Sequence, residues 1–289
     1  MFNRIRWSSF DFVYKVIKRM RRTINPRPYF TQGNVGSDSE ITQYEGKISQ
    51  MLNKEKSIKK FRRKRFYREI LEHVDYKLGL EYISRIEDMV SPNHAFILIN
   101  QNRLNDHFGS PITFSYGKYG RISPTTLRYI ATALELSSNF GIDAKTSIVE
   151  LGCGYGGQAA ILNRIFGTTK YTPIDLQPVL KLTNYYLAKI NSNLKIVNAT
   201  NLESSQNWDL FVSNYAFSEL NRNLQIFYLK NVLTKCKQGY MVMNSGLTNT
   251  TGRSTGKLSL SEIKQFLPTL VCDKEIPKTG PDNYVLRWG

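Results

Sequence analysis

The chain has 289 residues, of which 41% are hydrophobic and 22% charged, a balance that suits a soluble protein with one large α/β domain and a smaller added unit. Cys153, Cys236 and Cys272 are widely spaced and follow no metal-type pattern, which predicts a reduced compartment without structural disulfides or zinc. No apolar run reaches the about 18 residues that span a bilayer, and the first 22 residues lack a secretory apolar core, so a cytoplasmic protein is expected.

Most of the net charge of +17 lies near the N-terminus. Residues 1–22 carry seven Lys/Arg against Asp11, and residues 54–68 carry nine against Glu55. The charge is therefore a property of the N-terminal region and says little about catalysis.

In chain order, Phe10, Val13, Ile17 and Met20 recur at three- and four-residue steps, with Lys15, Lys18, Arg19 and Arg22 on other faces. This predicts a basic amphipathic helix over residues 2–24, placed either on an anionic membrane face or against the rest of the protein. A linker to about Gly46 completes a first segment, 1–46. A helical cap is expected over 47–145. It starts with a helix from Lys47 to Leu78 in one or two pieces, stopped by Gly79, and continues with a helix from Leu80 to Val90 closed by Ser91-Pro92. After the polar, turn-rich stretch Asn105 to Pro111, Ser123 as N-cap and Pro124 at the first helical position start a helix to about Ser138.

From residue 146 to 289 strands and helices alternate. Strands are expected at 146–151, 171–174, 195–197, 209–213 and 240–244, with helices over 158–166, 179–190 and up to Thr234. A helix near 260–266 and strands near 270–274 and 284–288 close the chain. This is the βαβ alternation of a doubly wound parallel sheet, ended by an antiparallel hairpin.

The first of these strands leads into Glu150-Leu151-Gly152-Cys153-Gly154-Tyr155-Gly156-Gly157. Glycines there leave backbone N–H groups open to a ligand, and the following helix aims its positive end at the same place. Such a loop could hold S-adenosylmethionine (SAM) or a dinucleotide, since Gly152, Gly154 and Gly157 also satisfy G-x-G-x-x-G. Glu150, an acid before the first glycine, and the long segment that precedes the loop favour SAM. Asp175 ends the next strand at the distance where a carboxylate meets ribose hydroxyls, a feature both cofactors share.

The segments S-P-T-T-L-R-Y, V-E-L-G-C-G-Y-G-G, Y-T-P-I-D-L-Q-P-V-L-K-L-T-N-Y-Y-L and D-L-F-V-S-N-Y-A-F-S-E-L-N-R, in that order, resemble a bacterial family of sugar O-methyltransferases. The similarity covers about Phe61 to the C-terminus. It implies the class I SAM-dependent methyltransferase fold and methyl transfer to a sugar hydroxyl of a glycan, nucleotide sugar or glycosylated metabolite, often in polysaccharide biosynthesis. Cys153 and Gln177 depart from the family pattern without removing a group the chemistry needs.

A sugar hydroxyl is a poor nucleophile at neutral pH, so a base is expected beside the methyl. Glu219 and Tyr215, after the fourth strand, and Asp106 with His107, in the polar turn, are the catalytic candidates. Glu219 equally fits a helix-dipole role. His73 reads as a surface or packing residue and His94 as a weaker candidate than His107. Besides Glu150, Gly152, Cys153, Gly154, Tyr155, Gly156 and Asp175, the cofactor candidates are Leu176, Thr200, Asn201 and Asn214. Tyr116 and Arg128 are candidates to close over the SAM carboxylate. No metal-ligand spacing stands out. The chain is expected to meet a sugar or glycan acceptor, with membrane contact through the N-terminal helix and self-association both open. Nucleic-acid methylation is the alternative activity, disfavoured because Ser213-Asn214-Tyr215-Ala216 replaces an N-P-P-Y-like signature. The remaining alternative is a tethering protein with a vestigial methyltransferase fold, against which the intact Glu150, glycines and Asp175 argue.

Overall fold

The computed structural model describes residues 44–190, 192–196, 206–244, 257–280 and 283–289. The expected helix over 2–24, nearly all of the linker that follows it, and Thr200 and Asn201 lie outside the described residues. Among the described residues no helix is long and apolar enough to cross a membrane.

The cap is more broken than the one or two helical pieces expected over Lys47 to Leu78. Helix α1 spans Tyr44–Leu52, followed by short turns at Glu55–Ile58, Phe61–Arg63 and Arg65–Arg68. Nine cations in residues 54–68 repel one another in a continuous helix, and Arg62 draws the chain inward, its N–H donating to Gly109 O at 3.0 Å. Helix α2, Tyr76–Met89, starts at the Asp75 N-cap, whose carboxylate accepts from Leu78 N at 2.9 Å. Gly79 is thus inside α2 and stops nothing. A Cβ there would strike the Tyr116 side chain, so the glycine makes room for the aromatic ring. Ser91-Pro92 opens a further helix, α3 (Pro92–Asn102), with Ser91 as its N-cap.

Two short strands, β1 (Phe114–Ser115) and β2 (Arg121–Ile122), pair antiparallel before α4, Pro124–Phe140. Ser123 Oγ accepts from Thr126 N, Pro124 fills the first helical position, and Gly141 closes α4 with φ +63°. Buried residues run around α4 from Pro124 to Ala133, because α2, α3 and α5 all pack against it.

The remaining chain builds one sheet. Its strands are β3 (Ser147–Leu151), β4 (Lys170–Ile174), β5 (Lys195–Ile196), β6 (Trp208–Asn214), β7 (Cys236–Met243), β8 (Val271–Lys274) and β9 (Tyr284–Trp288). They lie in the order β5-β4-β3-β6-β7-β9-β8, with the first five parallel and β9 antiparallel to both neighbours. Connecting helices are α5 (Gly157–Phe166), α6 (Gln177–Lys189), α7 (Arg222–Asn231) and α8 (Leu260–Phe266).

Alternation along β3 sorts the two faces. Ile148 joins Ile130, Leu162 and Leu182 in the layer under α4, α5 and α6, while Val149 and Leu151 join Leu229, Leu233 and Ile263 under α7 and α8. Glu150, two residues from Ile148, falls on the α4 face. The order reverses between β3 and β6, which opens a crevice at their carboxyl ends where ligands of such sheets bind.

Candidate cofactor and acceptor site

Two loops meet at that crevice. The glycine loop follows β3, and Gly152 has φ +78°, a conformation that costs glycine nothing. A side chain there would also collide with the Ala216 Cβ of the loop after β6, so Gly152 lets the two loops touch. The loop is held from β4: Asp175 Oδ2 accepts from Gly154 N at 2.9 Å, and Oδ1 from Leu176 N at 2.8 Å. Each carboxylate oxygen has a second lone pair, so the same group can receive ligand hydroxyls. Burial pushes Asp175 up to about 6, against the pull of those two N–H groups.

Glu150 lies beneath the loop, 3% exposed, with Oε2 accepting the Tyr171 hydroxyl at 2.7 Å. Burial pushes its pKa up to about 8, partly offset by Tyr171 and reinforced by Asp175. Cys153 is buried between Asp175 and Thr183, its thiol pushed up by burial. Tyr155 turns its ring away from the crevice, against Phe61, Tyr129 and Tyr186, and its hydroxyl accepts from Asn105 Nδ2 at 3.1 Å. Only its backbone is left for a ligand. Gly156 begins the turn into α5.

Arg128 comes from α4. Its guanidinium lies 5.3 Å from the Tyr129 ring centroid and 5.9 Å from that of Tyr215, 7% exposed. It forms no ion pair among the described residues, and its Nη1 is buried without a hydrogen-bond partner. The hydroxyl of Tyr44, on α1, is likewise orphaned and near enough to Asp175 and Cys153 to be raised further by their charges. Buried polar atoms without partners are uncommon; Tyr44 lies near Cys153 of the glycine loop, and Arg128 beside Tyr215 of the loop after β6.

The loop after β6 forms the far wall. Tyr215 has φ +71°, rare for a bulky residue and a kind of strain that clusters at functional sites. Its N–H donates to Val242 O, and its hydroxyl donates to Glu275 Oε1 at 2.5 Å. Asn214 ends β6 beside it. Glu219 closes the turn Ala216–Glu219 and accepts from Asn244 Nδ2 at 3.3 Å.

Three sequence candidates are placed elsewhere. Asp106 is a structural acceptor rather than a base: Oδ1 receives Arg62 Nη1, Ser123 Oγ and Thr126 Oγ1, and Oδ2 receives Ser123 N. Its adjacent His107 follows a 3-10 turn and is exposed, so the two form no dyad. Tyr116 stacks on Tyr76 with centroids 5.0 Å apart and covers Gly79, so α2 holds the ring that was expected over the cofactor. The histidine placed at this wall is His73, expected as a surface or packing residue and exposed in the fold. It sits in the loop 70–75, its ring centroid 6.3 Å from that of Tyr215, and it feels the Arg128 charge. Among the described residues no group of three His, Cys, Asp or Glu side chains is arranged to hold a metal ion.

A parallel sheet reversing at β3/β6, with its last strand inserted antiparallel between β7 and β8, decides the fold. It is the class I methyltransferase fold. Comparison of the sequence with protein-family models and with curated proteins gives no match. Among solved structures, the methyltransferase domain of bacterial CtHen1 is similar over 55% of this chain and 96% of its own, at 14% identity and a TM-score of 0.41. Magnesium protoporphyrin IX methyltransferase ChlM from Synechocystis, solved with bound SAH, is similar over 55% and 80%, at 9% identity and 0.43. A SAM-dependent methyltransferase from Clostridium acetobutylicum is similar over 55% and 89%, at 11% identity and 0.43. The strand order alone carries the fold.

Proposed function

We infer that the chain is a SAM-dependent methyltransferase and that its acceptor is a sugar hydroxyl. The observation that carries the cofactor is Asp175, which clamps the glycine loop by one oxygen while keeping lone pairs for the ribose hydroxyls. The orphaned Arg128 and Tyr44 atoms fit the same ligand, the first as the counter-charge for its carboxylate. Glu150 supplies buried acidity under its ammonium end. Bound there, SAM supplies an electrophilic methyl on a sulfonium. The chain's own contribution is to align a hydroxyl with it, exclude water and receive the hydroxyl proton.

The sugar reading is supported by the segment resemblance and by the polar wall of Tyr215, Glu275 and Thr279, which suits a ligand rich in hydroxyls. Incubating the full chain with methyl-labelled SAM and a panel of nucleotide sugars and glycans tests it. Label in a sugar methyl ether is the expected product; label in RNA or DNA instead would move the activity to nucleic acid. Exposed Lys54, Lys56, Lys60, Arg63 and Arg68 favour that second reading, and a steep loss of binding with salt would accompany it.

A further inference from the structure

His73 is the one histidine among the described residues that faces the crevice. It is exposed to solvent, yet it stands across from Tyr215 on the β6 side and Arg128 on α4, so it is a wall of a concavity rather than a packed side chain. The chain holds it from both sides. Glu72, its predecessor, turns the opposite way: Oε1 receives Arg62 Nε at 2.5 Å and Oε2 receives Thr125 Oγ1 at 3.0 Å. Asp75, two residues on, is fixed as the N-cap of α2. The loop that carries His73 is thereby tied to the start of α4, the helix that also places Arg128.

The ring itself is oriented. His73 Nδ1 lies 3.2 Å from Ile70 O, and a carbonyl can only accept, so Nδ1 carries the proton and Nε2 keeps its lone pair. The protein packed along one side of the ring and the nearby Arg128 charge both disfavour the imidazolium and hold its pKa below the usual histidine value. Glu72 is spent on Arg62 and Asp75 caps α2, so neither carboxylate of its own loop pairs with the ring. The groups facing His73 are the Arg128 guanidinium and the Tyr215 phenol.

We propose that His73 Nε2 is the proton acceptor for the hydroxyl that is methylated, with Glu72 and Ile70 as the residues that position it. This rests on the methyltransferase reading above. In the step, the hydroxyl O–H bond breaks and its proton moves to His73 Nε2. The oxygen's electron pair forms the new O–C bond to the transferred methyl, the C–S pair stays on sulfur, and the imidazolium then returns its proton to water. The neutral ring keeps its Nε2 lone pair available at pH 7, and the proton moves to it as the new O–C bond forms and the hydroxyl becomes acidic. Glu219, the other candidate at this wall, receives Asn244 instead.

Nitrogen-15 NMR of the full-length chain tests this without any acceptor, with the His73 signals identified by their loss in His73→Gln. The expected result is a neutral ring at pH 7, protonated at Nδ1. Protonation at Nε2, or a ring already charged at pH 7, overturns the proposal. With the sugar panel, His73→Gln should lower kcat about a hundredfold or more while SAM affinity by calorimetry stays unchanged, and added imidazole should restore part of the rate to His73→Ala. Wild-type turnover in His73→Gln overturns the proposal as well. Failure of the wild-type chain to bind SAM counts against the methyltransferase reading, and the ring tautomer still judges His73 separately.

Discussion

The Tyr171 hydroxyl donates to Glu150 Oε2 at 2.7 Å, directly beneath the glycine loop, and it is the partner that keeps a buried carboxyl from rising even further. Glu150 ordinarily titrates near 4.5 and in the folded chain at about 8. Between those values the folded chain binds the proton that the unfolded chain has lost. Stability contributed at low pH is therefore lost as pH rises toward 8. His73 and Asp175 titrate below 6.5 and leave the upper part of this range to Glu150. Urea midpoints should fall between pH 6.5 and 8 in the wild type and stay flatter in Glu150→Gln. A cationic ligand above Glu150 favours its ionised form, so SAM binding at pH 7 should release most of a proton, read by calorimetry in buffers of different ionisation heat. No release, or equal release by Glu150→Gln, would remove Glu150 from the site.

Arg128 is a buried cation without a carboxylate partner among the described residues. Its desolvation is met by the Tyr129 and Tyr215 rings but by no carboxylate, and an apolar replacement of similar size relieves the remaining cost. Arg128→Met should keep or raise the melting temperature while weakening SAM binding about tenfold or more. A variant that loses stability and binding together would mark Arg128 as structural.

Arg62 shows the opposite arrangement. It is fully buried and bonded to Glu72, Asp106, Ser123 and Asn105 O, linking the cap to α4. Arg62→Met leaves two carboxylates buried without their cation and should cost about 3–5 kcal/mol in urea unfolding. His107→Ala, at an exposed ring, should match the wild type in stability and in turnover. Loss of turnover in His107→Ala with unchanged stability would return it to the catalytic set.

These contrasts mark what the sequence made legible. The sheet was readable because β3 and β6 carry short apolar stretches, Ile148-Val149 and Leu210-Phe211-Val212, between polar breaks, and the glycine loop and Asp175 lie at fixed offsets from strand ends. Ser123-Pro124 starts α4 as its pattern predicts, and the same signature at Ser91-Pro92, expected to close the preceding helix, also opens α3. The cap was misread because its shape depends on Arg62, a charge that local pattern places on the surface and that distant partners bury. For the same reason Asp106 looked free and His73 looked incidental: adjacent residues, Glu72 and His73, serve opposite sides of one loop, and only the partners brought by α4 and β6 tell them apart. Glu150 and Asp175 needed no such information, because alternation and strand ends fix where they point.

Calorimetric titration of the full-length chain with SAM and with S-adenosylhomocysteine, run in parallel on Asp175→Ala, bears on all of this at once. One saturable site in the wild type, weakened at least about tenfold when the charge-assisted hydrogen bonds of Asp175 are removed, is the expected outcome. No binding by the wild type, or equal affinity in the two chains, would mean that the crevice above β3 and β6 does not hold this cofactor.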